Sequence, residues 1–231
     1  MTLPHAVIVG VGDGLSASLA RTLATDHQVT LCARTTTKME AVAAQTGAQM
    51  VTLDGTDEAA VASMIDALSA PPRVVIYNPS ARVRGPVAEL NAEDVRRAVD
   101  VTAIGSFIVG KHAARRILTA EPENGVRGTI LFTGASAGVK GFPQSATFAM
   151  GKFAQRGLAQ SMSRELHPKG IHVAWINIDG GILNPGRDEP ADRPGSMLRP
   201  DAIAQTYRHL IEQDRSAWSH EVAVRPWVES F

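Results

Sequence analysis

The chain has 231 residues, 44% hydrophobic and 20% charged, a balance ordinary for a globular protein long enough to bury a sizeable core. Lys plus Arg and Asp plus Glu number 23 each, so no net field favours nucleic acid, an anionic membrane or an acidic partner. No apolar run approaches the roughly 20 residues that cross a bilayer, the start carries no basic, cleavable leader, and one cysteine excludes an intrachain disulfide and a thiolate zinc cluster; a cytoplasmic protein is expected.

AVIVG (6–10) reads as the first strand and runs into GVGDGLSASLARTLA, whose Ala/Leu spacing predicts a helix over 15–25. A glycine-rich turn between strand and helix gathers backbone N–H groups and a helix N-terminus, the geometry that binds a pyrophosphate. The spacing is not Gly-x-Gly-x-x-Gly, because Leu15 stands where that pattern needs glycine. It fits Gly-x-x-x-Gly-x-Ser, with Gly10, Gly14 and Ser16, and Gly12 as an additional flexible point. Gly10, Gly12, Asp13, Gly14 and Leu15 are therefore the predicted residues of a phosphate-binding turn.

The second strand, VTLCA (29–33), contains Cys32, read as a buried strand residue rather than a nucleophile. An acid at the end of this strand would accept hydrogen bonds from the ribose 2′-OH of NAD and repel a 2′-phosphate. Here Ala33 is followed by Arg34 and three threonines. An arginine fork holds a phosphate bidentately, and Thr35 or Thr36 adds a hydroxyl donor. NADP(H) is therefore expected in preference to NAD(H). The rival reading, a methyltransferase that binds S-adenosylmethionine, needs a carboxylate before the first glycine and another at this strand end. Ile8 and the stretch Cys32-Ala33-Arg34 occupy those places.

Further strands are predicted at QMVTLD (49–54), RVVIYN (73–78), GTILFTG (128–134), IHVAWINI (171–178) and HEVAV (220–224). Helical patterns cover AAVASMIDALS, the stretch 91–118 and the stretch 145–166. Continuous Val/Ile/Leu runs suit parallel strands covered on both faces. Their alternation with helices predicts an α/β fold, a doubly wound Rossmann-type parallel sheet with helices on both faces, in one domain over 1–231. DEPADRPGSMLRP (188–200) reads as a surface loop, placed where a substrate lid would lie. The histidines show no metal-like pairing. The tail, with two of the three tryptophans, reads as a core strand and a subunit contact.

GVGDGLSASLA, the aspartate of TLDGTD, YNPSA, and FAMGKFAQRGLAQSMSREL followed by KGIHVAWINIDGGI together resemble the short-chain dehydrogenase/reductase family over essentially the whole length. The resemblance implies an NADP(H)-dependent oxidoreductase acting on a small carbonyl, alcohol or activated alkene, assembled as a homodimer or homotetramer. It puts Asp54, with Gly55 beside it, at the adenine. Asn78 and Ser80 fall in the segment that supports the nucleotide side of the sheet. Lys152 falls at the nicotinamide ribose, and the backbone from Gly180 to Ile182 at the carboxamide.

The same resemblance exposes departures. The family's catalytic unit is a serine, a tyrosine and a lysine, often with an asparagine. Counting back from Lys152 puts Phe148 at the tyrosine place. Counting from the GFP turn (141–143) puts Ala135 at the serine place, with Ser136 adjacent, and counting from Gly105 puts Thr102 at the asparagine place. The Pro-Gly turn after the sixth strand reads Asp179-Gly180. Lys152 and Ser136 are the predicted catalytic residues; Ser145, Thr133 and Thr147 are further candidate donors. Two functions follow: an oxidoreductase with a weakened proton donor, or an NADP(H)-binding scaffold or sensor with little turnover.

Overall fold

The computed structural model describes residues 3–229. Its strands are β1 (His5–Val9), β2 (Gln28–Ala33), β3 (Gln49–Thr52), β4 (Val74–Tyr77), β5 (Gly128–Thr133), β6 (Ile171–Ile178), β7 (Gly181–Ile182), β8 (Met197–Leu198) and β9 (Glu221–Val224). The helices are α1 (Leu15–Leu23), α2 (Glu40–Thr46), α3 (Glu58–Asp66), α4 (Ala92–Val99), α5 (Gly105–Ile117), α6 (Ala146–Leu166) and α7 (Pro200–Glu212). Seven strands form one parallel sheet in the order β3-β2-β1-β4-β5-β6-β9. This is the doubly wound arrangement expected from the apolar runs. β7 and β8 pair separately. The order reverses between β1 and β4, and in such sheets a crevice forms beyond the strand ends at that switch point.

Period-two alternation sorts the strand residues onto two cores. Ile8, Leu31, Ile76, Leu131 and Ile176 face the layer of α1 and α7. Val7, Val75, Tyr77, Phe132, Val173 and Trp175 face the layer of α3, α5 and α6. Cys32 belongs to the second core, fully buried, and burial pushes its thiol up to about 12. Among the described residues no helix is long and apolar enough to cross a membrane.

Local chemistry sets the helix starts. Asp57 caps α3 by accepting from the Ala60 amide at 3.0 Å, and Asn91 caps α4 by accepting from the Glu93 amide at 2.8 Å. The stretch 91–118, expected as one helix, is continuous but interrupted by a π-helical turn at Asp100–Ile104. The sequence reading had no helix between the 188–200 loop and the last strand. α7 fills that gap, with Pro200 in its first turn and Ile203, Tyr207 and Leu210 buried on one face. Asp201 accepts from Ser18 of α1, and Arg208 pairs with Asp26 just beyond α1.

Helix propensity would favour alanine over glycine at position 105 by about 1 kcal/mol. A Cβ there, however, would lie 2.1 Å from the Tyr77 hydroxyl oxygen. That hydroxyl donates to the Val101 carbonyl in the π turn, so it does not step aside cheaply. Gly105→Ala is expected to destabilise the fold by roughly 1–3 kcal/mol, and adding Tyr77→Phe should recover part of that loss. Denaturant unfolding of both single variants and the double variant measures the coupling; strictly additive losses would contradict the contact.

Candidate functional site

A cleft of about 1320 Å³ opens at the C-terminal ends of the strands, beside the switch point. Its floor is the turn after β1. Gly10 has φ +86, and a Cβ there would fall 2.6 Å from the Pro79 ring, so glycine is required. The Gly10 amide donates to the Cys32 carbonyl at 2.8 Å. Its own carbonyl accepts from the Ser16 hydroxyl at 2.9 Å and from Asn78 Nδ2 at 3.2 Å, and Asn78 Nδ2 also reaches Ser16 Oγ at 2.6 Å. Three segments are thus tied to one carbonyl: the end of β1, the first turn of α1 and the end of β4.

The polar groups above this floor point to a ligand. Gly12 has open space where a Cβ would go, and Gly14 begins α1 with no side-chain cap. The Asn184 side chain covers Gly14 so closely that a Cβ would lie 1.8 Å from its Oδ1. That Oδ1 is buried with no hydrogen-bond partner among the described residues. The uncapped helix amides fit a dinucleotide's pyrophosphate, and the orphaned Asn184 oxygen, an acceptor, fits a ligand donor such as a hydroxyl or an amide N–H. The cleft is also large enough for such a ligand and a small second molecule.

The predicted catalytic and cofactor residues line this cleft: Gly10, Gly12, Asp13, Gly14, Leu15, Arg34, Thr35, Asp54, Gly55, Asn78, Ser80, Ser136, Lys152, Gly180 and Ile182; Thr36, Thr102 and Thr147 do not. Arg34 and Thr35 lie just past β2, and Lys38, which the sequence reading passed over, joins them there. Asp54 accepts from the Thr56 amide at 2.9 Å and the Thr56 hydroxyl at 2.7 Å. These bonds, and then the Arg34 charge, hold its carboxyl below the usual range. Beyond β6, β7 and β8 pair through Gly181 with Met197 and Ile182 with Leu198, pinning both ends of the irregular segment 183–196. The loop expected over 188–200 therefore ends early, in β8 and the start of α7.

At the other end of the cleft, α6 carries Phe148 and Lys152 one turn apart. Phe148 is buried, and the Arg82 guanidinium carbon sits 3.8 Å from its ring centroid. Lys152 is 2% exposed. Its Nζ donates to the Thr133 carbonyl and, at 3.1 Å, to Gln155 Oε1. Gln155, fully buried, also accepts from Trp175 Nε1 at 3.3 Å and donates to Ser106 Oγ at 2.9 Å. Burial first, and then the Arg82 charge, pushes Lys152 down to about 7. Sequence reasoning missed Gln155. The available signal was an amide three residues after a lysine, hence on the same helix face.

The candidate hydroxyls separate into two groups. Thr133 Oγ1 is engaged with the Tyr207 hydroxyl at 2.7 Å, and Thr147 Oγ1 donates to the Val83 carbonyl at 2.9 Å. The Thr147 proton is thus committed, contrary to the sequence expectation, while Thr133 spends one bond on Tyr207. Ser136 and Ser145 line the cleft, and among the described residues neither hydroxyl has a protein partner. Thr102 is fully buried and accepts from the Ala81 amide at 3.1 Å. Among the described residues no group of three His, Cys, Asp or Glu is placed to hold a metal ion.

An unfolded lysine keeps its proton to about pH 10.4, whereas folded Lys152 releases it near 7. Between these values the unfolded state binds the extra proton, so stability rises with pH there. Below 7 both states are charged and the full penalty of burying the ammonium applies. A Lys152→Met variant lacks this slope. The melting temperature of the parent minus that of the variant should therefore climb by roughly 5 °C or more from pH 7 to 10; a flat difference would contradict a buried, easily neutralised amine.

The family model described as short chain dehydrogenase matches residues 4–185. An L-2,3-butanediol dehydrogenase from Corynebacterium glutamicum is 28% identical over 216 residues, which span 88% of this chain and 81% of that one. The crystal structure of a short-chain dehydrogenase from Rhodopseudomonas palustris superposes with a TM-score of 0.81 at 32% identity, covering 97% of this chain and 99% of that one. An alcohol dehydrogenase from the archaeon Thermococcus sibiricus, solved with 5-hydroxy-NADP, shares the fold with a TM-score of 0.82 at 20% identity, covering 98% of each chain. The sheet and these matches agree, and the chain belongs to the short-chain dehydrogenase family.

Proposed function

We propose that the chain is one nucleotide-binding domain whose cleft holds NADP(H), and that it is an oxidoreductase for a small carbonyl, alcohol or activated alkene with a weakened proton donor. The observation that carries this reading is the Gly10 turn, tied by Ser16 and Asn78 beneath the uncapped first turn of α1. It offers N–H groups and the positive end of a helix to a pyrophosphate. Arg34, Thr35 and Lys38 stand where β2 ends without a carboxylate, which favours a 2′-phosphate and therefore NADP(H) over NAD(H). Asp54 and Gly55 would flank the adenine, Ser80 the nucleotide side, and Gly180 to Ile182 the carboxamide. The NADP-type ligand of the Thermococcus relative supports the same choice.

When bound, NADPH supplies a hydride to a carbonyl carbon, and the oxygen left charged needs a proton. Phe148, Ala135 and Thr102 stand at the family's tyrosine, serine and asparagine places, and a phenyl ring donates no proton. A general acid is typically worth about 10²–10⁴-fold. Ser136, uncommitted in the cleft, is assigned the donor role, with Lys152 as the nearby source of a proton at neutral pH. The second reading, a scaffold or sensor with little turnover, is favoured by one specific feature: Lys152 spends its hydrogen bonds inward, on Thr133 and Gln155. A homodimer or homotetramer fits the exposed Phe107, Phe153 and Trp227, the last 88% exposed.

Fluorescence titration is expected to show binding of NADPH about tenfold tighter than NADH, with Arg34→Ala removing the preference. NADPH oxidation by the parent over a panel of ketones and enones should be slow, and Phe148→Tyr with Ala135→Ser should raise it by about 10²-fold. Turnover by the parent as fast as by the double variant would overturn the weakened donor. Tight NADPH binding with no turnover in either protein would favour the scaffold.

A further inference from the structure

Part of the cleft's positive charge lies away from where a dinucleotide's phosphates would sit. On the reading above, the pyrophosphate meets the α1 amides and a 2′-phosphate meets Arg34 and Lys38. Three more guanidinium groups remain at the Phe148 end: Arg82, Arg84 and Arg187, all lining the cleft. Among the described residues none of the three has a carboxylate within ion-pair distance, although Arg73, Arg115, Arg156 and Arg208 elsewhere are paired. Partial burial, and then the fields of Arg84 and Arg187, lower the pKa of Arg82. Three like charges gathered without a counter-ion raise the free energy of the empty cleft, and a bound anion relieves that cost.

Arg82 is also held in place. The Ala81 amide on one side donates to Thr102 Oγ1 at 3.1 Å, and the Val83 amide on the other donates to Thr147 Oγ1 at 3.1 Å. Between these two anchors the guanidinium lies over the Phe148 ring, which orders it and leaves its N–H edge for a planar acceptor. Lys152 Nζ is 6.0 Å from the same ring centroid. The charge therefore sits beside the lysine, at the end of the cleft where a second molecule would meet the cofactor.

We propose that the substrate carries an oxoanion, a carboxylate or a phosphate, and that Arg82, with Arg84 and Arg187, forms its binding site. This rests on the cofactor reading above and names the class of molecule that the site takes. Isothermal titration with matched probes tests it: 2-oxobutanoate against its methyl ester for the carboxylate, and glycerol 3-phosphate against glycerol for the phosphate. Each is run on the protein alone and on the NADP⁺ complex, and NADPH affinity is measured separately. At least one anion should bind roughly ten- to a hundredfold more tightly than its neutral partner, and Arg82→Gln and Arg84→Gln should each lose most of that advantage while NADPH affinity stays within about twofold. The arm that responds identifies carboxylate or phosphate. Neutral and anionic probes binding alike, or both variants keeping the parent's preference, would overturn the proposal. Loss of NADPH binding in the parent would instead strike the cofactor reading, and the probes on the protein alone would still decide the anion site.

Discussion

The arrangement depends on one backbone carbonyl. Gly10 accepts from Ser16 and from Asn78, and so locks the end of β1, the start of α1 and the end of β4 together at the switch point. Those bonds add to the Gly10 and Val11 amides' donation to the Cys32 carbonyl and to the packing of Gly10 on Pro79 and of Gly14 on Asn184. With them, the amides at the helix start are fixed before any ligand arrives. Binding then does not have to order the turn, which is how a preorganised site gains affinity. The fully buried strands beneath supply the rigidity, since Ile8, Val75 and Ile76 are packed on both faces of the sheet.

The opposite end of the cleft is arranged by burial and charge. The chain is neutral overall, yet its cleft gathers Arg34, Lys38, Arg82, Arg84, Lys152 and Arg187 against Asp13 and Asp54. Placing Lys152 among Thr133, Gln155 and the Phe148 ring makes its ammonium costly. Proteins usually accept such costs at functional positions. Several residues around Lys152 are also physically linked to one another. Thr102 and Thr147 anchor the loop that carries Arg82, and Arg82 stacks on Phe148. A hydroxyl in place of the Phe148 edge would meet a positively charged neighbourhood.

Much of the fold was legible in the sequence because parallel strands covered on both faces write themselves as unbroken Val/Ile/Leu runs. IHVAWINI coincides with β6 in full. The glycine turn was legible too, since Gly10 and Gly14 announce a backbone requirement. α7 was not read: the stretch between the 188–200 loop and HEVAV was left without an element, although Ile203, Tyr207 and Leu210 stand at helical spacing in it. The β7–β8 pair is two residues long on each side, too short for any periodic signal. Within the site, the residues missed share a cause. Gln155, Arg82 and Asn184 matter through what they touch across the fold: the carbonyl-bound lysine, the Phe148 ring and Gly14. Spacing along a chain does not show those contacts. The same holds for Thr133 and Thr147, whose hydroxyls are engaged by Tyr207 and Val83.

The claim that the tied turn after β1 is the grip on a dinucleotide is tested most directly by amide hydrogen exchange, residue by residue, with and without NADPH. The amides from Gly12 to Ser16 should slow by tenfold or more on adding saturating NADPH, as occupied donors do. Unchanged exchange across that turn at millimolar NADPH would contradict the account.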